Sequence, residues 1–317
     1  MPRQSISTIK MRTKVKLLLA FLVILALSSF VAYKAYWRYQ DALAKKMILE
    51  KRKAAWAVLE NKLKSRIANF NGTVGLVVKD LDTGWEIDLN QGRLMPAASL
   101  VKIPIMLAYF YAASEGKVSL QNTVYLKSSD KVAGSKVLGS MPTGTRFTVE
   151  GLFSPMITQS DNAAANALIS ILGFDNLNSY FKKMGLKSTN LSRKMMDFSE
   201  RKDGVENYTS AADCAFLMNK LYQGRFLDKK TSQRCMEILG DQKINDRIPR
   251  KLPKSSAFVA HKTGLERHIC HDVGIVFTAK GDFLICVLVK HKDKTAQNAK
   301  RLISDIALST YRYYCSF

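Results

Sequence analysis

Between about Leu59 and the C-terminus the spacing of apolar residues changes from strand-like to helical and back to strand-like, and that order constrains the fold more than any other feature. Residues 73–89 alternate, with Val74, Leu76 and Val78 facing one way and Asp82-Thr83-Gly84 as a turn, which predicts a hairpin. Helical spacing then fills the middle of the chain, over 100–113, 149–159, 162–172, 175–184, 210–222 and 229–239. Strand patterns return at 257–263, 272–278 and 283–290, the last two joined at Lys280-Gly281, before a final helix over 294–313. The implied fold class is α/β of the α+β kind: a sheet whose strands come from both ends of one domain, packed against an all-helical lobe. No internal repeat is visible.

Upstream, residues 17–33 carry no charge between Lys16 and Lys34, and Tyr36 and Trp37 are placed to sit at an interface. This predicts one membrane-spanning helix. A cleavable signal peptide is the alternative, but small residues are poorly spaced for cleavage over 28–35 and basic residues follow at once, which favours an uncleaved anchor. Charge does not orient the segment, since Arg3, Lys10, Arg12, Lys14 and Lys16 on one side are answered by Lys34, Arg38, Lys45 and Lys46 on the other. Residues 40–70 read as helix, with Trp56, Leu59, Leu63, Ile67 and Phe70 at three- and four-residue steps. The expected organisation is a basic tail (1–16), a transmembrane anchor (17–33), a basic helical stalk (34–58) and a folded domain (59–317).

The 317 residues are 47% hydrophobic, enough for a large core, so the chain is neither disordered nor of low complexity. Lys and Arg number 49 against 26 acidic residues, densest in the first 70 positions beside the apolar run. That placement favours lipid headgroups over nucleic acid, for which no motif appears. Five cysteines, at 214, 235, 270, 286 and 315, leave at least one unpaired within the chain, and buried thiols fit most of them better than a disulfide framework.

Three short strings fall in order along the domain: Ser99-Leu100-Val101-Lys102, Ser160-Asp161-Asn162 and Lys262-Thr263-Gly264. Each has a bland reading alone: a helix face, a helix cap, a strand entering a turn. Their joint occurrence resembles the S-x-x-K, S-D-N and K-T-G set of the class A β-lactamases and penicillin-binding proteins, and the resemblance runs from about Leu59 to the C-terminus. It implies a mostly antiparallel five-stranded sheet flanked by terminal helices, with an active site between sheet and helical lobe. It also places the domain outside the membrane, with 1–16 cytoplasmic.

The residue types suit acyl transfer. Ser99 needs a base to become nucleophilic, and Lys102, one helical turn away under apolar neighbours Ile103, Ile105 and Met106, is a candidate once burial lowers its pKa. Ser160 is suited to carry a proton between Lys102 and the leaving nitrogen. Asn162 is suited to hold Lys102 and a substrate amide, and Asp161 to cap a helix. Lys262 and Thr263 suit a substrate carboxylate, and Gly264 permits close approach of backbone. By resemblance, the backbone N–H groups of Ser99 and Leu265 are the oxyanion donors.

In one respect the chain departs from the family. Rapid class A enzymes carry a glutamate two residues after an arginine in a loop beyond S-D-N, where it activates the deacylating water. Here Met195 holds that place after Arg193, and a thioether accepts no proton from water; Asp197 or Glu200 would have to reach in instead. The resemblance therefore implies a serine hydrolase acylated at Ser99 by β-lactams or D-alanyl peptides. Three readings stay open: a β-lactamase with slow turnover, a D-alanyl-D-alanine carboxypeptidase or transpeptidase, and a β-lactam sensor. No cofactor is expected. The segment His268 to Asp272, with Cys270 and His271, offers possible metal ligands, but no metal is expected where alternate residues of an entering strand point to opposite faces. His261 is expected to pack beneath the site, and Glu266 and Arg267 to shape specificity.

Overall fold

The computed structural model describes residues 6–317, with side chains from Met11 onward. It divides into two compact units, Met1–Val58 and Leu59–Phe317.

All described residues of the first unit belong to helix α1 (Ile6–Ala68). The helix is long and apolar enough to cross a membrane, and its apolar side chains from Leu17 to Trp37 stand exposed. A helix apolar on every side has no face to offer water. Further along, Lys45 pairs with Asp41 one turn back, at 2.7 Å. Of the expected tail, residues 1–5 lie outside the described residues, Arg3 among them, and so does the Lys10 side chain.

The second unit opens on the last turns of α1, where Leu59, Leu63 and Ile67 are buried at the expected steps. The hairpin β1 (Gly72–Asp80) and β2 (Glu86–Leu89) follows, and the chain returns to the sheet with β7 (Ala257–Glu266), β8 (Ile269–Thr278) and β9 (Phe283–His291). The order is β2-β1-β9-β8-β7, antiparallel throughout, with first and last strands of the domain joined where Leu76 faces Val287. Nearly every residue of β8 and β9 is buried, so both sheet faces are covered. Helices α6 (Ala211–Tyr222) and α8 (Gln297–Cys315) supply the cover.

The middle of the chain forms the lobe. Helix α2 (Lys102–Ser114) is its centre, buried from Lys102 through Phe110, and packs on α4 (Asn162–Met184), which in turn meets α3 (Phe153–Thr158). Helix α7 (Lys229–Gly240) bridges α3 and β7. The expected helices 162–172 and 175–184 run on as α4 but break at Gly173, whose φ of 76° and ψ of 163° are costly for any other residue. Strand β8 starts three residues earlier than its pattern suggests, because Ile269 and Cys270 already pair with Glu266 and Leu265. Two short pairings complete the domain: β3 (Met95–Pro96) with β6 (Tyr208–Thr209), and β4 (Thr123–Tyr125) with β5 (Arg146–Thr148). A small helix, α5 (Phe198–Lys202), lies in the loop before β6. Cys214, Cys235, Cys270 and Cys286 are buried free thiols, and Cys315 is exposed.

Candidate active site

Ser99 sits in a 3₁₀ turn, Ala98–Val101, that runs directly into α2. Side chains three apart eclipse in such a turn, so Ser99 and Lys102 share one edge. Pro104 is accommodated because it falls in the first turn of α2, where N–H groups have no partner inside the helix. The turn is held from outside. Ala97 N–H donates to Asn207 O at 2.7 Å, and β3 pairs with β6 just before it. From the sheet, His271 Nε2–H donates to Pro96 O at 2.9 Å while its Nδ1 accepts from Val289 N–H at 3.0 Å, which fixes the neutral Nε2–H tautomer. Burial lowers the His271 pKa to about 4, keeping the ring neutral.

Lys102 is fully buried and donates to Ser160 O at 2.6 Å, to Asn162 Oδ1 at 2.7 Å and to Ser160 Oγ at 3.3 Å. Burial pulls its pKa down to about 7; the carboxylates of Asp161 and Glu266 pull the other way, and burial wins. Near neutral pH the amine is thus divided between its two forms. The Ser99 hydroxyl is not one of its partners and makes no hydrogen bond to any described residue, which leaves it free to turn toward an incoming carbonyl. Contacts between nucleophile and base commonly tighten only once substrate is bound.

The second motif lies at the start of α4. Asp161 caps that helix, accepting from Ala164 N–H at 3.0 Å, and its other oxygen accepts from Val137 and Leu138 N–H at 2.8 and 3.1 Å. Ser160 takes a left-handed φ of 58°, and both its carbonyl and its hydroxyl meet Lys102. Asn162 is held between Lys102 and Ala133 O, to which Nδ2 donates at 2.8 Å, so one of its two amide hydrogens remains for a ligand.

Strand β7 brings the third motif. Lys262, fully buried, donates to Ser160 Oγ at 3.0 Å and to Thr263 O at 2.8 Å. Burial, together with the positive charges of Lys102 and Arg247, holds its pKa well below the usual lysine range against the opposing pull of Asp272. Ser160 Oγ therefore stands between two amines, an arrangement that can pass a proton from one to the other. At Gly264 a Cβ would lie 3.4 Å from Ala98 Cβ and 3.4 Å from Leu100 Cγ, so the glycine lets β7 lie close along the Ser99 turn. β7 is the edge of the sheet, and alternate backbone groups along it, in the stretch that carries Leu265, face away from β8 and stay open to a ligand. Thr263 is buried and Leu265 half exposed.

His261 packs beneath these groups, its Nδ1 2.9 Å from Asp272 Oδ1 and its Nε2 3.0 Å from Asn245 Oδ1. The cluster holds a further cation that the motifs do not contain. Arg247, 1% exposed, reaches Cys270 Sγ at 3.3 Å and Asp246 Oδ1 at 2.8 Å. His271, Arg247 and Asn166 are the contributors that sequence reading missed. His271 stood out in the sequence only as a possible metal ligand, and Asn166 left a trace as a polar residue one helical turn after Asn162 on an otherwise apolar run.

Asn166 grips the loop that faces the site. Its Oδ1 accepts from Met195 N–H at 2.8 Å and its Nδ2 donates to Met195 O at 3.2 Å, leaving the thioether buried. The same loop is tied by Arg193, which pairs with Glu206 at 2.6 Å and Glu266 at 3.4 Å, and by Asn207, whose Oδ1 accepts from Ser192 and Arg193 N–H. Asp197 caps α5 through Glu200 N–H at 3.2 Å, and Glu200 itself is exposed.

Comparison with known proteins agrees with this geometry. The model of the beta-lactamase enzyme family matches residues 58–314. Beta-lactamase VEB-1 of Pseudomonas aeruginosa is 26% identical over 273 residues, covering 81% of this chain and 89% of its own. The structure of PBP-A superposes with a TM-score of 0.75 at 28% identity, covering 82% of this chain and 96% of its own. A mutant of PBP-A, seen as an acyl-enzyme complex with penicillin-G, matches equally well, with a TM-score of 0.75, 28% identity and coverage of 82% and 97%. With three ordered motifs converging on one cleft between sheet and lobe, and a family match across the whole folded unit, the chain belongs to the beta-lactamase enzyme family as a class A-like serine hydrolase.

Proposed function

We propose that the protein is a membrane-anchored serine hydrolase that β-lactams or D-alanyl peptides acylate at Ser99, and that it releases the acyl group slowly. Lys102 in its neutral form takes the Ser99 proton. Ser160, touching both Lys102 and Lys262, carries it to the departing nitrogen, so the bond from Oγ to the carbonyl carbon forms as the amide C–N bond breaks. The N–H groups of Ser99 and Leu265 receive the oxyanion. Lys262 and Thr263 take the substrate carboxylate, Gly264 gives it room, and Asn162 offers its free amide hydrogen to the acyl group. The penicillin-G acyl-enzyme known for the PBP-A mutant supports acylation as the first step.

The observation that carries slow release is the seating of Met195: its backbone is pinned by Asn166 and its side chain is a thioether. Asp197, engaged as a helix cap, and Glu200, exposed, are poor substitutes for a water-activating carboxylate. Residues 17–33 serve as the anchor, with 1–16 cytoplasmic, 34–58 a basic stalk against anionic headgroups and 59–317 the catalytic domain outside. The apolar, outward-facing side chains of α1 support this.

Intact-mass spectrometry of penicillin-treated protein tests the reading. One added drug mass on the peptide containing Ser99, persisting for minutes or longer, is expected. An unmodified protein, or label on another side chain, overturns it. A progress curve with a chromogenic cephalosporin should show a burst of about one equivalent and then a slow phase. Release of D-alanine from an acyl-D-alanyl-D-alanine peptide would assign the second reading, a carboxypeptidase, in which Lys102 and Ser160 serve both half-reactions.

A further inference from the structure

Nδ1 of His268 and both ring nitrogens of His291 are buried and have no hydrogen-bond partner among the described residues. His291 is 4% exposed. Buried polar atoms are nearly always satisfied, so three orphaned nitrogens in one place call for an explanation such as an ion. The fold itself brings the two rings together. His268 is the second residue of the two-residue turn between β7 and β8, where Glu266 faces Ile269, and it holds a left-handed φ of 64°. His291 ends β9. Its N–H donates to His268 O at 2.9 Å, one step beyond the Ile269–Lys290 pair, so the histidines face each other across the ladder with their side chains on one side of the sheet. Their ring centres lie 6.0 Å apart, edge to face. Two imidazoles bound to one metal at about 2.0–2.1 Å have ring centres roughly 5.2 Å apart in tetrahedral geometry and at most about 6.4 Å apart, a span that contains the observed spacing. The other candidate ligands of the run 268–272 are engaged elsewhere: Cys270 with Arg247, His271 with Pro96 O and Val289 N–H, and Asp272 with His261. The companion of His268 comes from the next strand instead.

We propose that His268 and His291 form a two-point site for a divalent transition cation of the zinc and nickel class, with solvent completing its coordination. Among the described residues no third His, Cys, Asp or Glu joins the pair, which leaves the remaining positions to water. Nitrogen donors favour such ions over Mg²⁺ and Ca²⁺, which take oxygen ligands. Exposed Arg267, Lys290 and Lys292 flank the two histidines in sequence, so bare charge attraction contributes little and the nitrogen lone pairs supply the affinity. Burial pushes the His291 pKa below the ordinary histidine value; Asp293 pulls the other way, His268 adds to the push, and the ring stays neutral with a lone pair to give. A histidine that binds metal through one nitrogen normally directs the other at a carbonyl or carboxylate, and Asp293 acts on His291 through both its backbone and its carboxylate. His268 is half-buried and borders a surface cavity of about 700 Å³, which gives the ion a way in. Once bound, the ion ties the turn after β7 to the end of β9.

Calorimetric titration of the untagged full-length protein with zinc chloride tests the proposal, with magnesium chloride as the contrast. One Zn²⁺ per chain is expected, and no Mg²⁺ binding at the same concentration. At a hundred times Kd the thermal midpoint should rise by about 5–10 °C. His291→Ala should weaken Zn²⁺ binding at least tenfold, since losing even a group that only supports a metal ligand costs about that much. His268→Asn removes the other nitrogen donor but keeps the turn, because asparagine tolerates left-handed backbone. It should weaken binding to the same extent and abolish the midpoint shift. Should His291→Ala fold poorly, His268→Asn decides the matter. A wild-type protein that binds no Zn²⁺ overturns the proposal. So does Zn²⁺ binding that His268→Asn leaves unchanged, as it would if the exposed Cys315 held the ion. Neither result touches acylation at Ser99, on which the proposal does not rest.

Discussion

Asn166 and Met195 are joined at both ends of a single side-chain amide, one bond to the N–H of Met195 and one to its carbonyl. The grip acts on backbone, so it does not depend on which side chain occupies position 195.

That independence makes Met195→Glu a direct test. The carboxylate should enter a seat already formed and activate a water, and the acyl adduct should disappear at least tenfold faster in a mass-spectrometric time course. Burying the carboxylate should lower stability by about 1–3 kcal/mol in urea denaturation. An adduct as persistent as in the wild type would show that Met195 is not what limits release.

Acylation should follow the titration of Lys102. Only the neutral amine accepts a proton, so the rate should rise with pH and level off above about 7. Lys102→Ala should reduce it by about 10²–10⁴-fold. Lys102→Arg should fail to rescue it, since a guanidinium keeps its proton throughout this range. Stopped-flow acylation over pH 5–9 provides the check.

His271 has a different pH signature, written in stability. Its folded pKa of about 4 lies below the ordinary 6.5, so the unfolded chain binds the proton more readily between those values. Stability should be complete above pH 6.5 and decline as pH falls toward 4, by up to about 3 kcal/mol from this group. His271→Gln should flatten that part of the curve in chemical denaturation and lower stability at neutral pH.

Glu206→Gln should cost about 3–5 kcal/mol, because it leaves Arg193 buried beside a weakened partner. The loss should appear in denaturant midpoints, and hydrogen exchange should quicken over residues 191–207 in particular.

Much of the fold was legible because periodicity is local. The hairpin 73–89, the α2 run and the three closing strands all carried their own pattern, and Asp161 announced its cap. The three motifs were legible for the same reason: each occupies a few consecutive residues. What escaped depends on register between distant strands. His271 reaches Pro96 only because β8 pairs with β9 in one alignment, and Arg247 joins the cluster only because the chain after α7 folds back under β7. The early start of β8 was hidden by Arg267-His268, a polar pair that reads as loop while its neighbours already pair across it. The spacing put Ser99 and Lys102 one helical turn apart, while the amine's own bonds go to Ser160 and Asn162, from a motif some sixty residues away.

Ala98, just before Ser99, and Ser160, just before α4, both hold left-handed backbone, with φ of 46° and 58°. A glycine would adopt either shape at less cost but would also let it go, so the surrounding packing holds two uncomfortable bends in place before any ligand arrives. The backbone on either side of the motif residues is thereby set at the folding stage, and what a ligand has left to arrange is side chains such as the Ser99 hydroxyl. Evolution of new chemistry in this chain should accordingly run through the loop opposite rather than through these two bends.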